Sequence, residues 1–386
     1  MAQLPGRRKP GRAACGRVLG GRDCVATRRR TPLPMRLAIL GAGAIALGSA
    51  ALAASRGHAV TVWSPSGRGT EALRARGGRL AAAGEVRGEF PVGLAAQVGE
   101  AVAGAEAVLV AVPANGHRAV MEAAAPHLAS GQTVLVSAAA SLSPLHLHRL
   151  LGRRGVAATI AGFGTTALTG RRGADGASVA VATLRGACDV AAVRHAETEA
   201  ALAIATELWG ERFVPADSLL AAALANVNPI AHLAMALCNL SRIEHREVWP
   251  QYHCTTPAVA RLILALDGER QALAAACGVR IPTAEAFFRR SYALDAPDLA
   301  GMMAELHARR GGPPGPTTIE TRYVLEDVPF GLVFYLALAG EVGLAMPVTE
   351  GAVRLASAAW GRELAAMNDL LPVLAAEGGL RAAATA

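Results

Sequence analysis

Short runs of apolar residues recur through the first half of the chain, separated by longer segments that mix apolar and polar positions. The runs are rich in Val, Ile, Leu and Ala, which is typical of strands buried on both faces of a parallel sheet. They lie at 36–40, 59–63, 107–112, 132–137, 159–163 and 177–182. The pattern predicts an α/β domain with all six strands in one sheet, ending near residue 216.

The second half has a different pattern, because strand-like runs give way to long Ala- and Leu-rich segments. Pro229 lies inside the first of these segments and predicts a kink in mid-helix, since proline removes a backbone hydrogen bond. We expect an all-α domain over residues 217–386, with the Gly/Pro-rich stretch 311–316 as a loop or hinge. Helices are predicted at 218–242, 256–277, 282–293, 297–309, 327–342 and 347–366.

The first 34 residues show neither pattern. They are rich in Gly, Pro and Arg, and we interpret residues 1–34 as a disordered basic extension to a body that starts at Met35. Their nine basic residues and the single acid Asp23 account for the whole formal net charge of +8. The rest of the chain is neutral, so no nucleic acid partner is expected and no bulk charge favours an anionic membrane.

The uncharged stretch 37–55 resembles a signal-peptide core or a short membrane helix. Gly41, Gly43 and Gly48 interrupt it, and a strand-like run follows at the distance of a βαβ unit. Both features favour a buried strand, turn and helix, so no membrane partner is expected. The six cysteines show neither C-x-x-C nor zinc-finger spacing, so we predict no metal site and a reducing, cytoplasmic location.

The same stretch carries a dinucleotide-binding pattern. Residues 41–46 are G-x-G-x-x-A, placed directly between the first strand and the first helix. The first glycine permits a tight turn, the second lets the backbone approach a pyrophosphate, and the final alanine lets the helix pack on the sheet. The pattern predicts a Rossmann-type domain over 35–216. We assign to cofactor binding Gly41, Ala42, Gly43, Ala44, Ile45 and Ala46.

The end of the second strand indicates which dinucleotide binds. NAD sites usually have an acidic residue there for the ribose hydroxyls, whereas residues 64–68 contain Ser64 and Arg68 and no acid. Serine can donate to a 2′-phosphate and arginine can pair with it, so NADP(H) is favoured over NAD(H). Val112 and Pro113 follow a neighbouring strand and are expected at the same crevice.

Polar residues in the second half predict a catalytic group. Asn228 and His232 are four residues apart, so they share one face of a helix. Arg322 and Asp327 precede a hydrophobic helix. They either cap that helix or complete the site, with Asp327 paired to His232 and Arg322 directed at a substrate carboxylate.

Two residues of the first domain are further candidates for substrate contact. His117 follows the run at 107–112, where it either reaches the substrate or nicotinamide or lies at the surface at the start of a helix. Thr165 follows the run at 159–163. Both runs should end at the edge of the sheet where ligands bind.

Together these residues resemble the octopine/nopaline-type opine dehydrogenases over most of 35–370. The resemblance implies a Rossmann domain and an all-helical domain with substrate in the cleft between them. It also implies NAD(P)H-dependent condensation of an amino acid with a 2-keto acid to a secondary amine dicarboxylate. The matching marks are the glycine turn, Val112-Pro113-Ala114 with His117, Asn226-Val227-Asn228 with His232, Thr256-Pro257 before Asp267-Gly268-Glu269-Arg270, Arg322-Tyr323 with Glu326-Asp327-Val328, and Pro347.

The resemblance implies a role for each catalytic candidate. His232 matches the family's histidine, which polarises the keto or imine group and moves a proton, and Asp327 matches the acid that orients it. Arg322 matches an arginine that binds a substrate carboxylate, and Asn228 matches an asparagine beside the nicotinamide. The segment 162–166 lacks an acid that many relatives carry, which favours a less polar amine donor.

Two other functions stay open. Ketopantoate-reductase-like and glycerol-3-phosphate-dehydrogenase-like 2-keto-acid reductases share the two-domain plan, but such enzymes use a catalytic lysine and Lys9 is the only lysine in the chain. A non-catalytic NADP(H)-binding sensor should lack the His/Asp/Arg set, and all three residue types are present. The small-residue helices permit a homodimer without requiring one.

Overall fold

The computed structural model describes residues 34–380. The extension predicted over residues 1–34 lies outside this range except for Pro34, as do the last six residues of the chain. Strands occupy the first part of the described chain up to Pro215, and helices occupy the second part from Leu219. The boundary expected between 216 and 217 therefore falls in the linker between the two parts.

The first part is built on an eight-stranded sheet. The strands of this part are β1 (Arg36–Leu40), β2 (Ala59–Trp63), β3 (Arg79–Gly84), β4 (Gly88–Pro91), β5 (Gly93–Leu94), β6 (Ala107–Val110), β7 (Thr133–Ser137), β8 (Thr159–Phe163), β9 (Leu168–Arg172), β10 (Ser178–Leu184), β11 (Cys188–Ala192) and β12 (Phe213–Pro215). The eight-stranded sheet has the order β12-β11-β8-β7-β6-β1-β2-β5, and its strands are parallel except at the β8–β11 pair. Five of the six predicted strands lie in it, so the α/β fold class is confirmed.

The sixth predicted strand, at 177–182, is not in this sheet. It forms β10 in a separate four-stranded sheet with the order β4-β3-β10-β9. In β10, Val179 and Val181 are buried while Ala180 and Ala182 are exposed. Such alternation belongs to a sheet with one solvent face rather than to a strand covered on both faces.

The helices of this part are α1 (Ala44–Ser55), α2 (Glu71–Ala75), α3 (Val98–Val102), α4 (His117–Ala124), α5 (Ser143–Arg153) and α6 (Thr198–Trp209).

The second sheet explains the uncharged stretch at 37–55. Residues 46–53 of α1 are all buried, because the main sheet covers one side of the helix and the small sheet another. Gly48 permits the close approach, since a Cβ on it would lie 2.7 Å from Cδ1 of Leu168 on β9. A helix enclosed by two sheets needs no polar face. The stretch therefore folds as a strand, a turn and a core helix.

The second part is helical, as predicted, but its helices are shorter than expected. The helix predicted over 218–242 is interrupted at 225–227 and again at Asn239, and the one predicted over 347–366 ends at Trp360. Pro229 lies in the first turn of a new helix, where its missing N–H breaks no helical bond, so the predicted kink is wrong. The helices are α7 (Leu219–Leu224), α8 (Asn228–Cys238), α9 (Leu240–Glu244), α10 (Pro257–Ala276), α11 (Ala284–Tyr292), α12 (Leu299–Arg310), α13 (Arg322–Leu325), α14 (Phe334–Val342), α15 (Pro347–Trp360) and α16 (Leu370–Ala376), with a π-helix at Val328–Val333.

Two segments of this part, Leu219–Cys238 and Arg322–Val342, have the length and composition of membrane spans. Their most apolar windows are 83% and 67% buried inside the protein. Core helices of a folded protein pass the same test of length and hydropathy. The burial indicates that both segments form the core of the helical part.

A buried ion pair ends α7. Arg270 on α10 donates to Oδ1 of Asp267 from Nε at 2.8 Å and from Nη2 at 2.5 Å. Its Nη1 donates to the carbonyl of Leu224, the last residue of α7, at 2.5 Å. Asp267 Oδ2 accepts from the N–H of Ala284 at 2.8 Å, which ties α11 to the same group. The Arg270 side chain is 0% exposed, so its charge is compensated only inside the protein.

We predict that Asp267→Ala destabilises the protein strongly, because it leaves the Arg270 charge buried without its carboxylate. The free energy of unfolding should fall by about 3–5 kcal/mol, measured by urea denaturation. As a control, Arg354→Ala removes one partner of the exposed Arg354–Glu350 pair and should change that free energy by less than about 1 kcal/mol. Equal effects of the two substitutions would contradict the role of the buried pair.

Candidate active site

A cavity of about 330 Å³ lies between the carboxyl ends of the main strands and the helical part. The loops after β1, β6, β7 and β8 line it from one side, and α8, α13, the π-helix and α14 line it from the other. Thr165 lies in its wall, as predicted, in the loop after β8. The charged members of the described lining are Arg322, Glu326 and Asp327. All other lining residues are apolar or uncharged, so the charge is concentrated on the helical side.

The glycine turn after β1 has the shape that a dinucleotide requires. Gly41 has φ +136°, and a Cβ on it would lie 2.3 Å from the carbonyl oxygen of Ala111, so a side chain does not fit. A Cβ on the exposed Gly43 would meet no protein atom within 4 Å, which leaves the backbone there open to a ligand. The twelve-residue α1 begins at Ala44, next to Ile45 in the cavity wall. These residues fit a pyrophosphate at the helix N-terminus.

The loop after β2 packs directly on this turn. A Cβ on Gly69 would lie 2.8 Å from the Cβ of Ala42 and 2.6 Å from Oγ of Ser64. Ser64 is buried, whereas Arg68 is exposed at the start of a short 3-10 helix. Ala42 and Ala46 are both buried beneath the turn. The predicted serine and arginine therefore lie on the loop that packs against the glycine turn.

The loop after β6 brings Val112 and Pro113 to the cavity wall, as predicted. His117 is 1% exposed, with Nδ1 2.8 Å from Oγ of Ser143 and Nε2 3.2 Å from the carbonyl oxygen of Val112. Burial lowers the pKa of His117 to about 4, so the ring is neutral at physiological pH. The surface position considered for His117 is wrong. Both ring nitrogens are already bonded within the protein, so the ring supports the loop rather than offering a free nitrogen to substrate.

The break between α7 and α8 places two asparagines in the cavity wall. Asn226 Oδ1 accepts from the N–H of Asn228 at 3.0 Å, and the hydroxyl of Tyr335 donates to the Asn226 carbonyl at 3.1 Å. Pro229 then occupies the first turn of α8. His232 follows Asn228 by one helical turn on the same face. A helix that starts here, rather than a kinked one, positions both predicted residues.

His232 and Asp327 are hydrogen-bonded, with Nδ1 2.7 Å from Oδ2. They are 95 residues apart in the chain, and their side chains are 14% and 7% exposed. Asp327 lines the cavity, and His232 adjoins it as the partner of that carboxylate. A carboxylate on Nδ1 fixes the ring orientation and leaves Nε2 to exchange a proton. The arrangement suits general acid–base chemistry.

The π-helix that follows Asp327 fits tightly against α8. A Cβ on Gly331 would lie 2.4 Å from Cγ of Pro229, so glycine is needed for the two segments to meet. The Ser141 hydroxyl, in the loop after β7, donates to the carbonyl of Phe330 at 2.8 Å. The wider π-helical turn takes its carbonyls out of α-helical register, and this bond satisfies one of them. The close packing brings Asp327 within reach of α8.

Arg322 and Glu326 complete the charged side of the cavity. Arg322 Nη2 lies 3.9 Å from Asp327 Oδ2, and Nε lies 3.6 Å from Glu326 Oε2. The negative charge of Asp327 is the main cause that raises the pKa of Arg322, and the charge of Glu326 raises it further. Glu326 Oε1 accepts from the N–H of Ala114 at 3.0 Å, which links the helical part to the loop after β6. Burial raises the pKa of Glu326, and Arg322 opposes that shift.

Tyr323 stacks on His232, with ring centroids 3.7 Å apart and planes 5° apart. Its hydroxyl donates to the side-chain oxygen of Gln251. Burial raises the pKa of Tyr323 to about 12, so the ring is neutral and holds the imidazole in plane. The sequence analysis includes Tyr323 in a motif but predicts no role for it. The only indication in the sequence that Tyr323 lies near the site is its position next to Arg322.

Comparisons with known proteins agree with this geometry. Residues 215–360 match the family described as NAD/NADP octopine/nopaline dehydrogenase, alpha-helical domain, and residues 36–141 match NADP oxidoreductase coenzyme F420-dependent. An opine dehydrogenase from Arthrobacter sp. (strain 1C) is 27% identical over 83% of this chain and 89% of its own. Protein ocs from Agrobacterium tumefaciens (strain Ach5) is 26% identical over 89% of this chain and 96% of its own.

The chain contains the alpha-helical domain of the NAD/NADP octopine/nopaline dehydrogenases. It is an NAD(P)-dependent oxidoreductase. The matched helical part contains Asn228, His232, Arg322 and Asp327, and similarity to an opine dehydrogenase extends over 83% of the chain.

Solved structures show that the chain shares the fold of opine dehydrogenases. Octopine dehydrogenase with NADH and L-arginine superposes with a TM-score of 0.71 at 20% identity, over 85% of this chain and 90% of its own. Yersinopine dehydrogenase with NADP⁺ bound gives 0.68 at 18% identity, over 92% and 95%. A PanE/ApbA family ketopantoate reductase from Ralstonia eutropha JMP134 gives 0.61 at 18% identity, over 85% and 99%. The two-domain plan is therefore common to opine dehydrogenases and 2-keto-acid reductases.

We predict that His232→Ala lowers kcat at least about 100-fold, because it removes the candidate general acid–base group. The dissociation constant of NADPH, measured by fluorescence titration, should stay unchanged, since the ring does not belong to the glycine turn. His253→Ala, which removes an exposed histidine outside the cavity, is the control and should keep wild-type kcat. Wild-type turnover in the His232 variant would exclude this residue as the catalytic base.

Proposed function

We propose that the protein catalyses the reductive condensation of an amino acid with a 2-keto acid, and the reverse oxidation of the resulting secondary amine dicarboxylate. The observation that carries the proposal is the hydrogen bond between His232 and Asp327, beside Arg322, at a cavity that also contains the glycine turn. Condensation requires an acid–base group, a carboxylate receptor and a hydride source within one enclosed space. Arg322 and Asp327 line the cavity beside the glycine turn, and His232 lies directly behind Asp327 without lining the cavity itself.

The residues divide the work by their chemistry. The ring of His232 can pass a proton to the keto oxygen from Nε2, while Asp327 holds Nδ1 and so fixes the orientation of the ring. The guanidinium of Arg322 can bind a substrate carboxylate with two parallel bonds and so orient that substrate for reaction. Asn228 lies in the same wall and can donate to the nicotinamide amide or the substrate. When bound, the nicotinamide supplies the hydride.

The proposed cofactor is NADP(H) rather than NAD(H). The support is the exposed Arg68 and the hydroxyl of Ser64 on a loop that packs against the glycine turn. A carboxylate for the ribose hydroxyls is missing from residues 64–68. Guanidinium and hydroxyl groups complement a 2′-phosphate, whereas an unmodified ribose gains little from a cation.

The proposed amine donor has an uncharged side chain. The charged groups of the described lining are confined to residues 322–327, and the remaining wall offers apolar, hydroxyl and amide side chains and the neutral ring of His117. A substrate with a second charged end would have to bury that end without a partner, which is costly.

The enzyme is proposed to act in the cytoplasm, where amino acids, keto acids and reduced cofactor occur together.

The first test measures absorbance of the reduced nicotinamide with NADPH or NADH over a grid of amino acids and 2-keto acids. We expect oxidation only when both substrates are present, and faster with apolar amino acids than with arginine or lysine. Each keto acid is also run without an amine. Oxidation with a keto acid alone would instead make the protein a 2-keto-acid reductase, and tight NADPH binding without turnover across the grid would favour the sensor function.

We predict that Arg68→Ala weakens NADPH binding about tenfold, because it removes one charge-assisted bond to the 2′-phosphate. The dissociation constant of NADH should not change. Both are measured by fluorescence titration of the wild type and the variant. Arg354→Ala, an exposed arginine on α15, serves as the control for charge alone. If the Arg68 variant binds both nucleotides as the wild type does, the NADP(H) preference has a different origin.

A further inference from the structure

Two carboxylates line the cavity, and only one of them has a role in the proposed mechanism. Asp327 is committed to His232 at 2.7 Å and lies near Arg322. Glu326 is the other carboxylate among the described lining residues. Its Oε1 holds one backbone N–H, and its Oε2 lies 3.6 Å from Arg322. Each carboxylate oxygen has two lone pairs, so Glu326 keeps acceptor capacity for a ligand.

Arg322 and Glu326 form a cation and an anion one helical turn apart on the same wall. An α-amino acid carries the same two charges on neighbouring atoms, with its carboxylate and ammonium separated by one carbon. Its carboxylate complements the guanidinium, and its ammonium complements the carboxylate beside it. A buried ammonium requires such a partner. The rest of the described cavity lining contains no other uncommitted anion.

We propose, on the basis of the proposed function, that Glu326 receives the ammonium group of the amine donor and takes a proton from it. An ammonium ion has no lone pair and cannot attack a carbonyl carbon, so one proton has to leave before the N–C bond forms. Glu326 is in place for this step because the neighbouring Arg322 holds the carboxylate of the same amino acid. Asp327 is free to serve His232 throughout.

The protons balance over the cycle. Glu326 takes one proton from the ammonium, and the free amine nitrogen forms the N–C bond as the keto oxygen takes a proton from the His232 imidazolium. Water leaves with a second proton of the nitrogen, which gives an iminium ion. After hydride reduces the iminium carbon, Glu326 returns its proton to the nitrogen. One proton from solvent restores the imidazolium, and the nicotinamide is oxidised.

The surroundings of Glu326 suit proton exchange. The groups that face it are the guanidinium of Arg322, the carboxylate of Asp327 and the N–H of Ala114. Burial raises its pKa, Asp327 raises it further, and Arg322 and the N–H bond lower it. A carboxyl with a raised pKa takes a proton more readily than a solvated one. Protonation removes the negative charge that receives the ammonium group, so amine binding should weaken as the pH falls through the pKa of Glu326.

The test compares Glu326→Gln with the wild type at saturating keto acid and NADPH. The amide oxygen still accepts from Ala114, so the loop contact is kept while the charge is lost. We expect the KM for the amino acid to rise at least about tenfold, with unchanged KM for the keto acid and an unchanged dissociation constant for NADPH. Calorimetric titration of the amino acid into the NADP⁺ complex should show the same loss. Glu320→Gln, an exposed acid paired with Arg362, is the matched control.

A second amine separates proton removal from loop support. O-methylhydroxylamine is a weak base and is largely uncharged at pH 7, so it needs no proton acceptor. We expect Glu326→Gln to use it nearly as well as the wild type does. Equal losses with this amine and the amino acid would overturn the proposal and leave Glu326 a structural link to Ala114, and so would an unchanged amino acid KM. Glu326→Asp keeps the charge and should bind the amino acid better than Glu326→Gln; the reverse order would also overturn it.

These outcomes can be told apart from failure of the proposed function. The wild type is assayed first over the substrate grid, and only a requirement for both substrates supports condensation. If the wild type reduces keto acids alone, the condensation proposal falls together with the role of Glu326. If the wild type condenses both substrates and Glu326→Gln behaves as the wild type does, only the role of Glu326 is wrong.

Discussion

The catalytic side of the cavity depends on a buried guanidinium that stops a helix. Arg270 holds the carbonyl of Leu224, and α7 ends there instead of continuing through an Ala- and Leu-rich segment that could extend it. The chain then leaves the helical conformation for three residues, and α8 starts at Asn228. The rotation of α8 decides where His232 points. A buried charge outside the cavity lining therefore helps to position the helix that carries the proposed acid–base group.

Much of this protein could be predicted from local patterns. The strands of the main sheet and the glycine turn depend on hydrophobicity and on the needs of neighbouring residues, which a sequence displays directly. The kink predicted at Pro229 is wrong, because proline disrupts a helix that continues through it but favours the first turn of a helix that starts there. What decides between the two is Arg270, which is 46 residues away from Leu224. No pattern around Pro229 contains that information.

The catalytic candidates show the same division. His232, Asp327 and Arg322 were found through residue types and through resemblance, and the structure brings them together. Tyr323 could not be given a role in this way, because its stacking on His232 depends on two helices that meet only in the fold. The hydroxyl of Tyr323 is held by Gln251, 72 residues earlier in the chain. Ordinary aromatic and amide residues gain their function here from long-range packing alone.

The loop after β2 stands apart from the catalytic wall, since neither Ser64 nor Arg68 lines the cavity. The proposed selection of the dinucleotide and the proposed binding of the substrates thus depend on different residues. Substitutions in this exposed loop can exchange one dinucleotide for the other while the helical side stays unchanged, and the helical side can diversify for new amines while the redox partner stays the same. An enzyme built this way can change its metabolic context along two independent routes.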